Sequence, residues 1–380
     1  MMAGPAVLVL AVAVLCSPAT GDEVGRSPAV PAVYVFGDSL VDAGNNDFLP
    51  VPVPRAVFPN GVDLPRWVLH RTGRFTNGFN LADIIAQHVG FKMSPPAYMS
   101  LAPPLASLDL LRGRVGANYA SGGSGILDIT GNGTITLREQ VQLFAETKRR
   151  IIRAGLVGRE RLDDLLARSL FVVSTGGNDF GAFDNGGVPM SEAPAFTAAM
   201  VAAYIDHISE LYRLGARKLA VLDILPVGCL PSQRAITGNG DCDAFGNTLS
   251  EMFNAVLRVE MGKAVAASMP GMRYSIAGVY NVLSDMIANP ALAGLREVEN
   301  GCCGGGKFNG EVDCGGGASL CADRDEYLFW DKVHGTEAAY RRAVHAFFYG
   351  TTTREAEPIN LAQLAGAPSS TAPAESYSSI

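Results

Sequence analysis

Ser39 stands where a nucleophile would be placed. The run Ala32-Val33-Tyr34-Val35-Phe36 reads as a short buried strand and leads directly into Gly37-Asp38-Ser39-Leu40, so the serine falls where a strand ends and a turn begins. In a parallel α/β sheet the reactive groups gather at the carboxyl ends of the strands. Far along the chain, Asp331-Lys332-Val333-His334 offers a carboxylate and an imidazole three positions apart. An imidazole can take the serine proton, and a carboxylate bonded to its other nitrogen fixes the tautomer and stabilises the imidazolium. Serine, histidine and acid are the parts of a nucleophilic hydrolase.

Two more segments could hold the negative charge that such a reaction develops. In Gly116-Ala117-Asn118-Tyr119-Ala120-Ser121-Gly122-Gly123-Ser124-Gly125 the closely spaced glycines let backbone N–H groups approach a ligand oxygen. Gly176-Gly177-Asn178-Asp179 directly follows a second strand-like run, and the Asn178 amide could donate to an oxyanion. Taken singly, each of these features has a plainer reading. A serine in a Gly-Asp-Ser turn is commonly a cap, a glycine-rich stretch a flexible loop, and an Asp-x-x-His pair a surface turn. Their shared location at strand ends and at a helix start favours chemistry. Of the five histidines, His207 and His345 fall in predicted helices, His88 closes one and His70 sits in a proline-rich loop. His334 alone has an acid at close spacing and a helix start immediately after it.

The elements needed to position these groups are legible in the hydrophobic pattern. Buried strands are predicted at 32–36, 170–174, 218–222 and 273–276, and helices at 79–88, 137–153, 193–214, 246–268 and 336–349. Short strands alternating with long helices imply βαβ units and a parallel sheet covered on both faces, a three-layer α/β/α architecture. The stretch from Asp47 to Arg74, rich in proline and without clear periodicity, reads as a loop.

Composition bounds the class. With 380 residues, 48% of them hydrophobic, and no repeat or long linker, the chain is expected to bury one large core. A net charge of −7 with no basic stripe opposes nucleic-acid binding. Residues 1–21 carry no charge, have an apolar run from Ala6 to Cys16 and end in small residues, which fits a secretory signal peptide lacking its basic start. That run is well short of the roughly 20 residues needed to span a bilayer, so no transmembrane segment is expected and the protein is read as secreted. Beyond Cys16, the cysteines at 229, 242, 302, 303, 314 and 321 form an even set compatible with disulfides, with 15 pairings open. A zinc site at the last four is the competing reading, weakened by the lack of any Cys-x-x-Cys pair. Asn132-Gly133-Thr134 is a glycosylation sequon.

In order and in wording, these segments resemble the plant GDSL esterase/lipase family, within the SGNH hydrolase group. The matching blocks are Phe36 to Asn46, Thr72 to Gly78, Asn118 to Gly125, Gly176 to Asp179, Leu214 to Lys218 with Pro226 to Pro231, and Trp330 to Ala339. The resemblance covers roughly residues 32–348. It implies a flavodoxin-like sheet and an acyl-ester hydrolase with Ser39 as nucleophile and Asp331 and His334 as its acid–base pair. By the same resemblance the oxyanion would be held by the Ser39 N–H, the Gly122 N–H and the Asn178 side chain, and no metal or organic cofactor is needed. Residues 22–350 would form the hydrolase domain, with 351–380, rich in Ala, Ser, Thr and Pro, a poorly ordered tail.

Two departures stand out. The family usually has proline after the catalytic histidine, where this chain has Gly335, so a backbone restraint on the His334 loop is expected to be lost. The stretch from Arg66 to Arg71 also looks longer than the usual connection and could reshape the site entrance. Two other functions remain compatible with the sequence. An acyl-serine could be intercepted by an alcohol, giving an acyltransferase, or the scaffold could serve as a non-catalytic secreted binding protein. The oligomeric state is not legible.

Overall fold

The structure, a computed structural model, describes residues 27–50, 52–68, 73–101, 108–185 and 189–367. The signal-peptide segment and residues 69–72 of the long loop lie outside them. The described residues hold the strands β1 (Val33–Gly37), β2 (Gly116–Asn118), β3 (Leu170–Ser174), β4 (Lys218–Leu222), β5 (Arg273–Ala277), β6 (Glu297–Gly301), β7 (Cys303–Gly304), β8 (Ser319–Leu320), β9 (Tyr327–Phe329) and β10 (Ala356–Glu357). The helices are α1 (Leu81–His88), α2 (Leu108–Leu111), α3 (Leu137–Ala154), α4 (Arg159–Arg168), α5 (Gly177–Asn185), α6 (Ala193–Arg213), α7 (Pro231–Thr237), α8 (Ala244–Ser268), α9 (Val279–Ala288), α10 (Glu337–Tyr349) and α11 (Leu361–Ala365).

Strand alternation makes the layers. Along β1, Tyr34 and Phe36 face a core completed by α3, α4, α6 and α8, while Val33 and Val35 face a second core completed by α1, α9, α10 and α11. Because both faces are covered, every residue of β1 and β3 is buried, which is why these strands read as continuous apolar runs. The main sheet has the order β10-β5-β4-β3-β1-β2, with β1 to β5 all parallel. Its parallel part is the flavodoxin-like order, and the three-layer α/β/α expectation holds. The chain leaves β1 for β2 on one side and returns to β3 on the other, so a crevice opens at the carboxyl ends of β1 and β3.

The expected strands and helices fall within one or two residues of their observed limits, because caps set the ends. The Asn80 side chain accepts the Asp83 N–H and starts α1 at Leu81, and Thr136 does the same for α3 through Glu139. The expectation of a poorly ordered tail is corrected for residues 351–367. There β10 pairs antiparallel with β5, Leu361, Leu364 and Ala365 are buried, and the Ser275 hydroxyl donates to Ile359 O at 2.6 Å. Small residues disguised this segment, but Leu361 and Leu364 lie three apart on one helix face and cover the sheet edge. Residues 368–380 lie outside the described residues.

Six cysteines form disulfides: Cys229–Cys242, Cys302–Cys321 and Cys303–Cys314. The four that could have bound zinc are therefore paired with one another, and Cys302 and Cys303 pack against the fully buried Trp330. No helix among the described residues is long and apolar enough to cross a membrane.

Candidate active site

Ser39 follows β1 directly, and the turn depends on Gly37. This residue has φ +141°, and a Cβ on it would collide with the Ser174 carbonyl at the end of neighbouring β3. The Asp38 N–H donates to that carbonyl at 3.0 Å, and Asp38 Oδ1 accepts the Leu40 N–H at 3.1 Å, closing the turn around the serine.

His334 arrives from the loop between β9 and α10. Its Nε2 lies 2.8 Å from Ser39 Oγ, and its Nδ1 lies 2.9 and 2.8 Å from the two carboxylate oxygens of Asp331. A carboxylate can only accept here, so Nδ1 carries the proton and Nε2 is left to accept the serine O–H. Asp331 Oδ1 also accepts the N–H groups of Val333 at 2.9 Å and His334 at 2.8 Å, so one short turn fixes both side chains. The Phe75 ring stacks on the imidazole with centroids 5.3 Å apart. Residues from opposite ends of the sequence thus form one hydrogen-bonded chain.

Gly335 is held by other means than a proline ring. Its N–H donates to the Tyr340 hydroxyl at 2.8 Å, and its carbonyl accepts from Thr76 Oγ1 at 2.8 Å. The Trp330 N–H donates to His334 O at 2.7 Å from the other side. The expected loss of restraint is offset by these bonds, the first of which a proline could not make.

The oxyanion side needs one correction. The Gly122 N–H is donated to Asp42 Oδ2 at 3.0 Å, and a Cβ on Gly122 would meet the Phe75 ring, so this glycine serves packing and loop anchoring instead of facing the cleft. Its neighbour Gly123, at φ +88°, lines the cleft together with Ser39, Asn178 and His334. Neither the Ser39 N–H nor the Gly123 N–H has a hydrogen-bond partner among the described residues. Two adjacent glycines look alike in sequence, and only the backbone path distinguishes the one whose N–H is spoken for. Asn178, in the first turn of α5, donates one amide hydrogen to Ser124 O at 2.9 Å, which leaves the other free for a ligand.

A buried polar network that the sequence reading did not assign holds the glycine loop. Asp42 Oδ1 accepts the N–H groups of Gly44 and Asn45 at 2.7 and 2.9 Å. The Asn45 amide donates to Asn118 O and Ala120 O, and the Asn46 amide donates to Gly122 O at 2.7 Å. Their signal was available: several polar residues directly after a buried strand must find partners once buried. Burial pushes the Asp42 carboxyl up to about 6 despite its three N–H donors, and pushes Asp38 up to about 7, with Asp179 adding to the rise and the Leu40 N–H and His334 opposing it. An ionised Asp38 would oppose negative charge developing beside Ser39, and its raised value keeps the group partly neutral near pH 7.

The cleft encloses about 400 Å³. Leu40, Phe180, Leu225, Val227 and Leu230 give it apolar walls, suited to the hydrocarbon part of an ester.

A serine hydrogen-bonded to a histidine, itself bonded to a buried carboxylate, at the strand ends of an α/β/α sheet defines the class of serine hydrolases. The sequence matches the family described as GDSL-like Lipase/Acylhydrolase over residues 33–347. It is 36% identical over 351 residues to GDSL esterase/lipase At4g16230 of Arabidopsis thaliana, covering 88% of this chain and 91% of that protein. It is 33% identical over 358 residues to GDSL esterase/lipase 7 of the same plant, covering 91% of this chain and 94% of that protein. The chain belongs to the GDSL lipase/acylhydrolase family and is a carboxylic ester hydrolase.

Proposed function

We propose that the chain hydrolyses carboxylic esters through an acyl-serine intermediate. Ser39 Oγ attacks the ester carbonyl while His334 Nε2 takes its proton, and Asp331 holds the imidazolium that forms. The imidazolium then protonates the departing alcohol oxygen, leaving the acyl group on Ser39. Water, deprotonated by His334, attacks the acyl-serine; the bond from the acyl carbon to Ser39 Oγ then breaks, the imidazolium returns its proton to Ser39 Oγ, and the acid is released. In each tetrahedral intermediate the oxyanion is bound by the Ser39 N–H, the Gly123 N–H and the Asn178 amide, with Gly123 replacing Gly122 in this role. Water is the acceptor in this reading, in keeping with the esterase/lipase names of the relatives.

The observation that carries the reading is the 2.8 Å contact from His334 Nε2 to Ser39 Oγ, backed by Asp331. Its test is turnover of a short p-nitrophenyl ester. Ser39→Ala is expected to lose roughly 10⁴-fold or more of kcat and all labelling by a fluorophosphonate. Turnover within a factor of a few of the unaltered protein would show that another group is the nucleophile.

We further propose that the protein matures in the secretory pathway. The three disulfides support this, since such bonds persist in oxidising compartments, and Asn132 is exposed on a loop whose neighbours Thr130 and Gly131 line the cleft. Intact-mass and amino-terminal analysis of the protein from the medium of expressing plant cells should find the leader removed, six cysteines oxidised and a glycan on Asn132. Retention inside the cells with an intact leader would refute it.

A further inference from the structure

We propose that Gln140 is a positioning residue for this reaction, the tie that fixes the nucleophile turn and the oxyanion loop in one geometry; this rests on the serine-hydrolase reading above. Gln140 is fully buried on α3 and does not line the cleft, so it acts through other groups. Its Oε1 accepts the Gly37 N–H at 2.7 Å and its Nε2 donates to Gly37 O at 2.9 Å, so a single amide grips both backbone groups of the residue two before Ser39. The same Nε2 lies 3.3 Å from Ser124 Oγ and 2.8 Å from Ile135 O.

The Gly37 carbonyl is the meeting point of the site's parts. Besides Gln140 it accepts the Ser121 N–H at 2.9 Å and the Ser124 hydroxyl at 3.0 Å, and these two serines flank Gly122 and Gly123. Ser124 O in turn accepts from Asn178 Nδ2 at 2.9 Å. The last residue of β1, the loop bearing one oxyanion donor and the side chain bearing another are therefore joined within two hydrogen bonds of Gln140. The start of α3 is itself pinned by the Thr136–Glu139 capping box, and the Gln140 N–H donates to Thr136 O at 2.9 Å, so the amide is presented from a fixed helix turn. Oxyanion donors stabilise a transition state only when aimed at the oxygen's final position, and a misplacement on the order of 1 Å costs about 10²-fold in rate.

The experiment compares Gln140→Leu with the unaltered protein, each normalised to active sites counted by fluorophosphonate labelling. Expected is a fall in kcat of roughly 10- to 100-fold with KM nearly unchanged, because the ground-state ester does not use the donors that have moved. A lower denaturation midpoint with kcat per labelled site unchanged would mean a purely structural role and overturns the proposal. If Gln140→Leu does not fold, Ser124→Ala carries the test, since it deletes the hydroxyl that donates to Gly37 O and lies 3.3 Å from Gln140 Nε2, one of the links between the tie and the loop; about a tenfold loss of kcat at constant KM is expected, and an unchanged kcat overturns the proposal. If the unaltered protein neither turns over ester nor accepts the label, the serine-hydrolase reading fails. An active unaltered protein with equally active variants removes the Gln140 tie alone.

Discussion

The two halves of the site are held by different means. The nucleophile half is built on the sheet: Ser39 rides on the end of β1, and its turn and the glycine loop are bound by buried side chains from α3 and from residues 42–46. The base half is built on a loop beyond the sheet. Asp331 and His334 are fixed by a turn whose own N–H groups converge on one carboxylate, and the Trp330 beside them packs on two disulfides. Long-range hydrogen bonds to buried side chains predominate in the first half, whereas local closure and nearby covalent staples, with the Thr76 bond to Gly335 O added, predominate in the second. Catalytic geometry can thus be reached by either route, and the two should fail in different ways.

The largest separation between the halves is expected from Asn178→Ala, which deletes one of the proposed oxyanion donors and should lower kcat by about 10²–10³ with a small change in stability. Kinetics beside a denaturation curve checks it; a loss confined to stability would remove Asn178 from the oxyanion site. On the base side the order should reverse. The double variant Cys302→Ser/Cys321→Ser opens a bridge between residues 19 apart, and by loop closure should cost about 3 kcal/mol of stability while kcat changes little under folding conditions. A rate loss as deep as that of Asn178→Ala at an unchanged unfolding midpoint would erase the distinction drawn between the halves. The smallest effect is expected from Gly335→Pro. Proline cannot donate to Tyr340, and a Cβ at this position approaches Tyr340 Cε1 to 2.7 Å, so a destabilisation of about 1–3 kcal/mol is expected. Stabilisation by that substitution would show that the tyrosine contact is dispensable.

Much of this was legible in the chain, unevenly so. The strands at 170–174 and 218–222 stand out because burial on both faces leaves unbroken apolar runs, and Ser39, Asn178, Asp331 and His334 stand out because their residue types match a chemistry. The short strand β2, hidden in the glycine block, and the ordered segment 351–367 were not legible, since neither carries a periodic pattern long enough to register.

By itself the sequence determined the class of fold, the candidate nucleophile, its acid–base pair and the family, because these depend on residue type, alternation and order along the chain. Only the tertiary structure decided that Gly123 and not Gly122 lines the cleft, which cysteines pair, how Gly335 is held without a proline, and that Gln140 grips Gly37 across the sheet. The physical reason is common to all four. Each depends on a hydrogen bond or covalent bond whose partner is set by where the backbone passes in space, and local residue types leave that choice open.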